Sequence, residues 1–145
     1  MSPSSVPEGF DDCDLIEGFL IHVGPLYTKP AMAQAHGGPF VLAFRAQAHH
    51  ANRYGVVHGG MLATLADTAI GANLARTGAA VDTTLTLSLT LDYIASAVVG
   101  DWIEAHVELS KDRGRVRFGQ CDVRCGTRSL VRASAVFYAP PNVQG

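Results

Sequence analysis

Residues 59 to 76 read GGMLATLADTAIGANLAR, a stretch without proline, rich in Ala and Leu, with Gly78 two residues beyond Arg76. A glycine past the end and a cation in the last turn are helix stop signals, so the pattern predicts one helix from about Gly59 to Arg76. At 1.5 Å per residue it spans about 26 Å, enough to cross a small sheet. Before Arg76 its only polar side chains are Thr64, Asp67, Thr68 and Asn73. A helix apolar nearly all round is enclosed rather than laid on a surface, so a sheet has to wrap it.

The strands for that sheet follow the helix. In TTLTLSLTLDYI, Thr84, Thr86, Ser88, Thr90 and Asp92 alternate with Leu85, Leu87, Leu89, Leu91 and Tyr93. This period of two gives a strand with a buried leucine face and a wetter threonine face. The next strand puts Ile103, Ala105, Val107 and Leu109 inward and Glu104, His106, Glu108 and Ser110 outward. SKDRGR turns the chain, and VRFGQCDVRC and LVRASAVFYA return as two strands around GTRS. Before the helix, two extended runs flank HGGP and read as a hairpin, and EGFDDCDLIEGFL reads as a short amphipathic helix with Phe10, Leu15, Phe19 and Leu20 apolar. Two strands, a long helix and four meandering strands make an α+β fold with an antiparallel sheet of five to six strands. A parallel fold would need helices between the last strands.

The chain of 145 residues is the size of one domain, 1–145, with 1–7 and 140–145 as loose tails. Forty-eight per cent hydrophobic and 17% charged residues exclude disorder, and a net charge of −2 offers no global attraction to nucleic acid or an anionic membrane. No basic start followed by an apolar run opens the chain, and no segment is apolar enough for a membrane span, so a cytoplasmic protein is expected. Cys13, Cys121 and Cys125 lack CxxC spacing and read as reduced thiols rather than metal ligands. His49 and His50, adjacent in an extended run, would point to opposite faces and cannot jointly bind a metal.

Within the helix stands one carboxylate, Asp67, with no basic residue at 63, 64, 70 or 71 to pair it. It must be ion-paired from elsewhere, be protonated, or look into a wet cleft, because stranding it ionised among apolar groups costs several kcal/mol. Two readings stand: a buried pair with a strand arginine, Arg115 or Arg117, or a catalytic acid or base. At the helix entry, Gly59 and Gly60 leave backbone N–H groups uncovered, a site for a carbonyl oxygen reinforced by the helix dipole. The alternative is that they only permit close packing. Gly59 and Asp67 are eight residues apart, about 12 Å along the axis, too far for one chain's acid to reach a carbonyl at its own helix start. Two antiparallel copies related by a twofold axis close that gap.

Asn52, Gly55, HGG at 58–60, Asp67, Ala69, an alternating strand ending in Tyr93, and Gly100-Asp101 together resemble the hotdog-fold acyl-CoA thioesterases of the PaaI-like (phenylacetyl-CoA thioesterase) group. The resemblance spans about residues 40 to 138. It implies a long central helix wrapped by an antiparallel sheet, a homodimer forming the active site, dimers paired into tetramers, and hydrolysis of acyl-CoA with no cofactor and no metal. By the same resemblance Asp67 is nucleophile or general base, an amide of Gly59 or Gly60 polarises the thioester carbonyl, Asn52 and His58 position substrate or water, and Thr86 assists, with Thr84 the alternative. Gly55, Thr68, Thr84, Arg115 and Arg117 are the expected substrate contacts. Arg113, Arg115 and Arg117 alternate, which suits coenzyme A phosphates or a solvated face alike. IASA after Tyr93, where the group often has a Leu-Arg-Pro-like stretch, implies a different channel loop.

GxSxG, HExxH, Walker and strand-linked GxGxxG motifs are absent from the sequence, which excludes the enzyme classes built on them. A hydratase of this fold would pair an Asp and a His on another loop motif, not found here. The alternative from another class is a non-catalytic acyl-CoA-binding sensor, which would not need Asp67.

Overall fold

In the computed structural model the chain is described over residues 5–31, 39–77 and 80–141. Strand β1 (Asp11–Asp12) leads to the one-turn helix α1 (Leu20–Val23), then β2 (Tyr27–Pro30), β3 (Phe40–Arg45), a 3-10 turn at Ala48–His50, and the long helix α2 (Gly59–Ala75). The ribbon β4 (Arg76–Thr77) and β5 (Ala80–Val81) follows, then β6 (Leu85–Tyr93), β7 (Trp102–Lys111), β8 (Val116–Cys125) and β9 (Arg128–Tyr138). The main sheet is antiparallel in the order β1-β2-β3-β7-β8-β9-β6. It has seven strands rather than five to six, the addition being the two-residue β1.

Helix α2 packs on one face of this sheet, touching β3, β6, β7, β8 and β9. Leu62, Leu65, Ile70 and Leu74 are almost wholly buried against it, and each such side chain contributes about 1.5–3 kcal/mol. Enclosure is not complete. Ala63, Thr64, Asp67, Thr68 and Ala72 form a half-exposed stripe that the sheet does not cover.

The β2–β3 pairing runs from Tyr27↔Ala43 to Pro30↔Phe40; the turn expected at HGGP falls on residues 32–38, outside the described ones, apart from Pro39. The amphipathic helix expected at EGFDDCDLIEGFL is not formed. Gly18 sits at φ 56°, a left-handed conformation that a continuous helix does not admit, and helical structure begins only at Leu20. Phe10 packs instead edge-on against Trp102, ring centroids 5.1 Å apart, and Phe19 is exposed.

One polar residue locks helix to sheet. The pairing of β3 with β7 begins only at Leu42, and at Phe40 the buried Asn73 side chain stands in for a strand: its Oδ1 accepts from Phe40 N at 2.8 Å and its Nδ2 donates to Phe40 O at 3.1 Å. Truncation in Asn73→Ala leaves two buried backbone groups without partners. The expected loss is about 2–4 kcal/mol, measured as a lower urea midpoint with an unchanged slope.

Candidate active site

Asp67 sits mid-helix on the open stripe, half-buried, and its Oδ1 accepts a hydrogen bond from Thr86 Oγ at 2.8 Å. No ion pair reaches it among the described residues. It lines a cleft of about 280 Å³ with Leu15, Leu20, Thr68, Ala72 and Phe137. A carboxylate at an open cleft keeps access to water, so it does not bear the penalty of full burial.

The placement of Thr86 depends on a defect in β6. Strict alternation would send Thr86 to the same face as Ser88 and Thr90, away from the helix. The register with β9 shifts between Thr86 and Ser88, where Leu87 is the extra residue. Thr86 thereby stands opposite the inward-facing Phe137, and Ser88 opposite Val136. A bulge adds one residue to one strand and re-aims the side chains beyond it. Leu85 and Leu87, expected on the buried face, are 53% and 60% exposed.

At the other end of the stripe the helix start is organised by His58, the N-cap. Its Nδ1 accepts from Gly60 N at 2.8 Å, while Met61 N and Leu62 N donate to the His58 carbonyl. A Cβ at residue 60 would lie 2.9 Å from His58 Nδ1, so only glycine lets the ring approach. Of the first four helical donors, three are thereby engaged; the Gly59 N–H has no acceptor among the described residues. Tyr93 braces the same residue, its hydroxyl donating to Gly59 O at 2.7 Å. Seven residues of regular strand would put Tyr93 and Thr86 on opposite faces; the extra residue Leu87 brings both to the helix side.

Asn52 shapes the loop before the helix. Its Oδ1 accepts from Tyr54 N at 2.9 Å and Val56 N at 3.2 Å. Gly55, at φ 77°, completes that turn. Thr84 and Thr68 both line the Asp67 cleft, and Thr84 Oγ donates to Gly71 O at 3.0 Å. Arg115 is exposed.

Arg117 is a correction. It neither binds at the surface nor pairs with Asp67: it is 6% exposed, its Nη2 lies 2.8 Å from Asp82 Oδ2, its Nη1 donates to Leu74 O at 2.7 Å, and its Nε donates to Gly114 O at 3.0 Å. Each guanidinium nitrogen has a protein acceptor and the side chain is buried, so a phosphate at the surface does not reach it. The buried thiols are poor nucleophile candidates: burial pushes Cys13 up and Cys121 to about 12, leaving little thiolate near neutrality.

A strap formed by residues 13–26 crosses the open stripe. Cys13 N donates to Leu26 O at 3.0 Å and closes its base. His50 Nε2 and His49 Nε2 hold Val23 O at 2.6 Å and Gly24 O at 2.9 Å. His50 also accepts from Gln47 N through Nδ1 at 3.0 Å, which makes Nε2 the protonated nitrogen of a neutral ring. The adjacent histidines thus serve as clasps.

Residues 54–132 match the Thioesterase superfamily. The chain is 34% identical, over 94% of its length and 98% of the relative's, to a Pseudomonas aeruginosa protein named "Putative esterase PA0474". The chain belongs to the thioesterase superfamily. Its fold is the hotdog fold expected from the sequence, shared with a variant of the phenylacetic acid degradation protein PaaI of Thermus thermophilus (TM-score 0.67, 23% identity, 79% of this chain and 93% of that one). It is also shared with a hypothetical thioesterase of Streptococcus pneumoniae solved with coenzyme A (TM-score 0.67, 19% identity, 90% and 94%).

Burial lowers the pKa of His50 below its usual value near 6.5, helped by neighbouring His49 and opposed by the Val23 carbonyl. In the unfolded chain the ring takes up its proton first as pH falls, so stability is full above about pH 6.5 and declines below it until the folded value is passed. Unfolding free energy should therefore drop between about pH 7 and pH 5, and the slope of that drop should shrink in His50→Gln; equal slopes would remove His50 as the source.

Proposed function

We propose that the protein hydrolyses acyl-CoA thioesters at a site shared between two copies, with Asp67 of one chain acting on a carbonyl held by the Gly59 N–H of the other. The observation that carries this reading is Asp67 itself, a carboxylate with a threonine for its sole hydrogen-bond partner among the described residues and a cleft in front of it. A binding module gains nothing from such a group.

Strand β6 supports the pairing. It is nine residues long, forms one edge of the sheet, and carries the exposed Leu85 and Leu87. Long exposed edges with apolar side chains are normally covered. Antiparallel pairing of two β6 strands about their middle sets the end bearing Thr86 beside the end of the second strand that bears Tyr93. The two braced groups, Asp67 and Gly59, then face one another across the twofold axis.

In the proposed reaction the Gly59 amide, reinforced by the helix dipole, stabilises the oxyanion. Thr86 occupies Oδ1 and orients the carboxylate, leaving Oδ2 to act. Oδ2 either attacks the thioester carbon, forming an anhydride that water then opens, or removes a proton from water as that water attacks. In both routes the C–S bond breaks, the thiolate of coenzyme A leaves and is protonated, and the acid is released. The protein groups and water suffice, with no cofactor. Coenzyme A as carrier is supported by the fold-sharing pneumococcal thioesterase solved with it.

Thiol release over a panel of acyl-CoAs tests this. Asp67→Asn should lose on the order of 10²–10⁴ in kcat while its melting temperature holds, and Thr86→Val should retain binding with a smaller loss in kcat. Full activity in Asp67→Asn would remove the assignment. A wild type that binds acyl-CoA without hydrolysing it would make the protein a sensor.

A further inference from the structure

Resting on the reading of the Asp67 cleft as catalytic, we infer that the strap over residues 13–26 selects the acyl group, with Leu15 and Leu20 forming the wall that limits its size. The cleft has two sides of different origin. Its inner side is the catalytic framework: Asp67, Ala72 and Phe137 from α2 and β9. Its outer side is Leu15 and Leu20, which come from the strap rather than from α2 or the sheet.

Two of the three hydroxyls around this space are committed, and the third, Thr68, sits on α2 beside Asp67 rather than on the strap. Thr84 Oγ donates to Gly71 O and Thr86 Oγ to Asp67. What remains toward the strap is hydrocarbon, so the matching occupant is an apolar acyl group, since a pantetheine amide placed there would lose its hydrogen bonds to water. A volume of about 280 Å³ lies just under the range of about 300–1,000 Å³ typical of drug-sized ligands. It suits a single aromatic ring or a medium-length chain.

The strap is a built wall. Both leucines are half-buried and pack on the main core. The clasps from His49 and His50 hold its returning arm at Val23 and Gly24, and the Cys13–Leu26 bond fixes its base. Position and stiffness together make it a ruler for the acyl group, while chemistry stays with α2.

The test measures kcat/KM for butyryl-, octanoyl-, palmitoyl- and phenylacetyl-CoA in wild type, Leu15→Ala, Leu20→Ala and Leu20→Trp. Cutting the wall back in either Ala variant should raise the palmitoyl-to-butyryl ratio about tenfold or more, the scale on which a few methylenes are discriminated in a hydrophobic pocket. Leu20→Trp should lower octanoyl and phenylacetyl turnover and spare butyryl. If all substrates change by one common factor in every variant, the leucines only support the fold and the inference is overturned. If the wild type hydrolyses none of the four, it is the function proposed above that fails. Calorimetric affinities for the same compounds then decide the strap's role: a ranking altered by Leu20→Ala upholds it, and an unaltered one overturns it.

Discussion

A helix with so few polar residues has to be largely enclosed, yet α2 is enclosed on only part of its circumference, and the Asp67 cleft lies where the enclosure stops. The sheet takes Leu62, Leu65, Ile70 and Leu74. The stripe through Thr64, Asp67, Thr68 and Ala72 is left to the strap and to open space. Had the sheet wrapped this stripe too, Asp67 would need a buried counter-charge, and a paired, buried carboxylate is a poor base. Partial cover lets the same helix anchor the core and present a reactive group.

Keeping cations away from that group is a second constraint, and Arg117 shows how it is met. A guanidinium on the inner side of β8 could neutralise Asp67. It is drawn instead to the C-terminal end of α2, where the Leu74 carbonyl and the Asp82 carboxylate both attract positive charge. The arginine thus caps the helix end, and the acid seven residues earlier stays unneutralised. One ion pair therefore fastens the far end of the helix and leaves the electrostatics of its middle unchanged.

How much of this could be read in the sequence follows from which signals are periodic. The helix bounds, the inward set of β7 and the turn at Gly126 were legible because hydrophobic period and turn chemistry are local. β6 was legible as a strand but not in its phase: alternation carries no mark for a bulge, and Leu87 resembles any other leucine in the run. Asp67 was legible because a lone carboxylate in an apolar helix is an anomaly whatever the fold. Arg117 was misplaced because three alternating arginines look equivalent until a tertiary partner, Asp82, singles one out. The strap was misjudged because apolar spacing suggested a helix where Gly18 breaks it, and the clasps of His49 and His50 are carbonyl contacts 25 and 27 residues away.

The proposed dimer would bring together two groups that stand apart in the single chain, the Gly59 amide and the Asp67 carboxylate. A free amide at a helix start and a carboxylate without a cation are each harmless while hydrated, so neither destabilises the chain alone. Brought together on opposite sides of a twofold axis, they become complementary: a donor for oxygen on one side and a base or nucleophile on the other. In that proposed dimer the exposed leucines of β6 would supply the drive, since burying apolar surface is the main favourable term in protein association. The same edge strand holds Thr86 against the acid and Tyr93 against the amide. A shift in how two β6 strands meet would therefore move both reacting groups together, which ties catalytic geometry to strand register rather than to any loop.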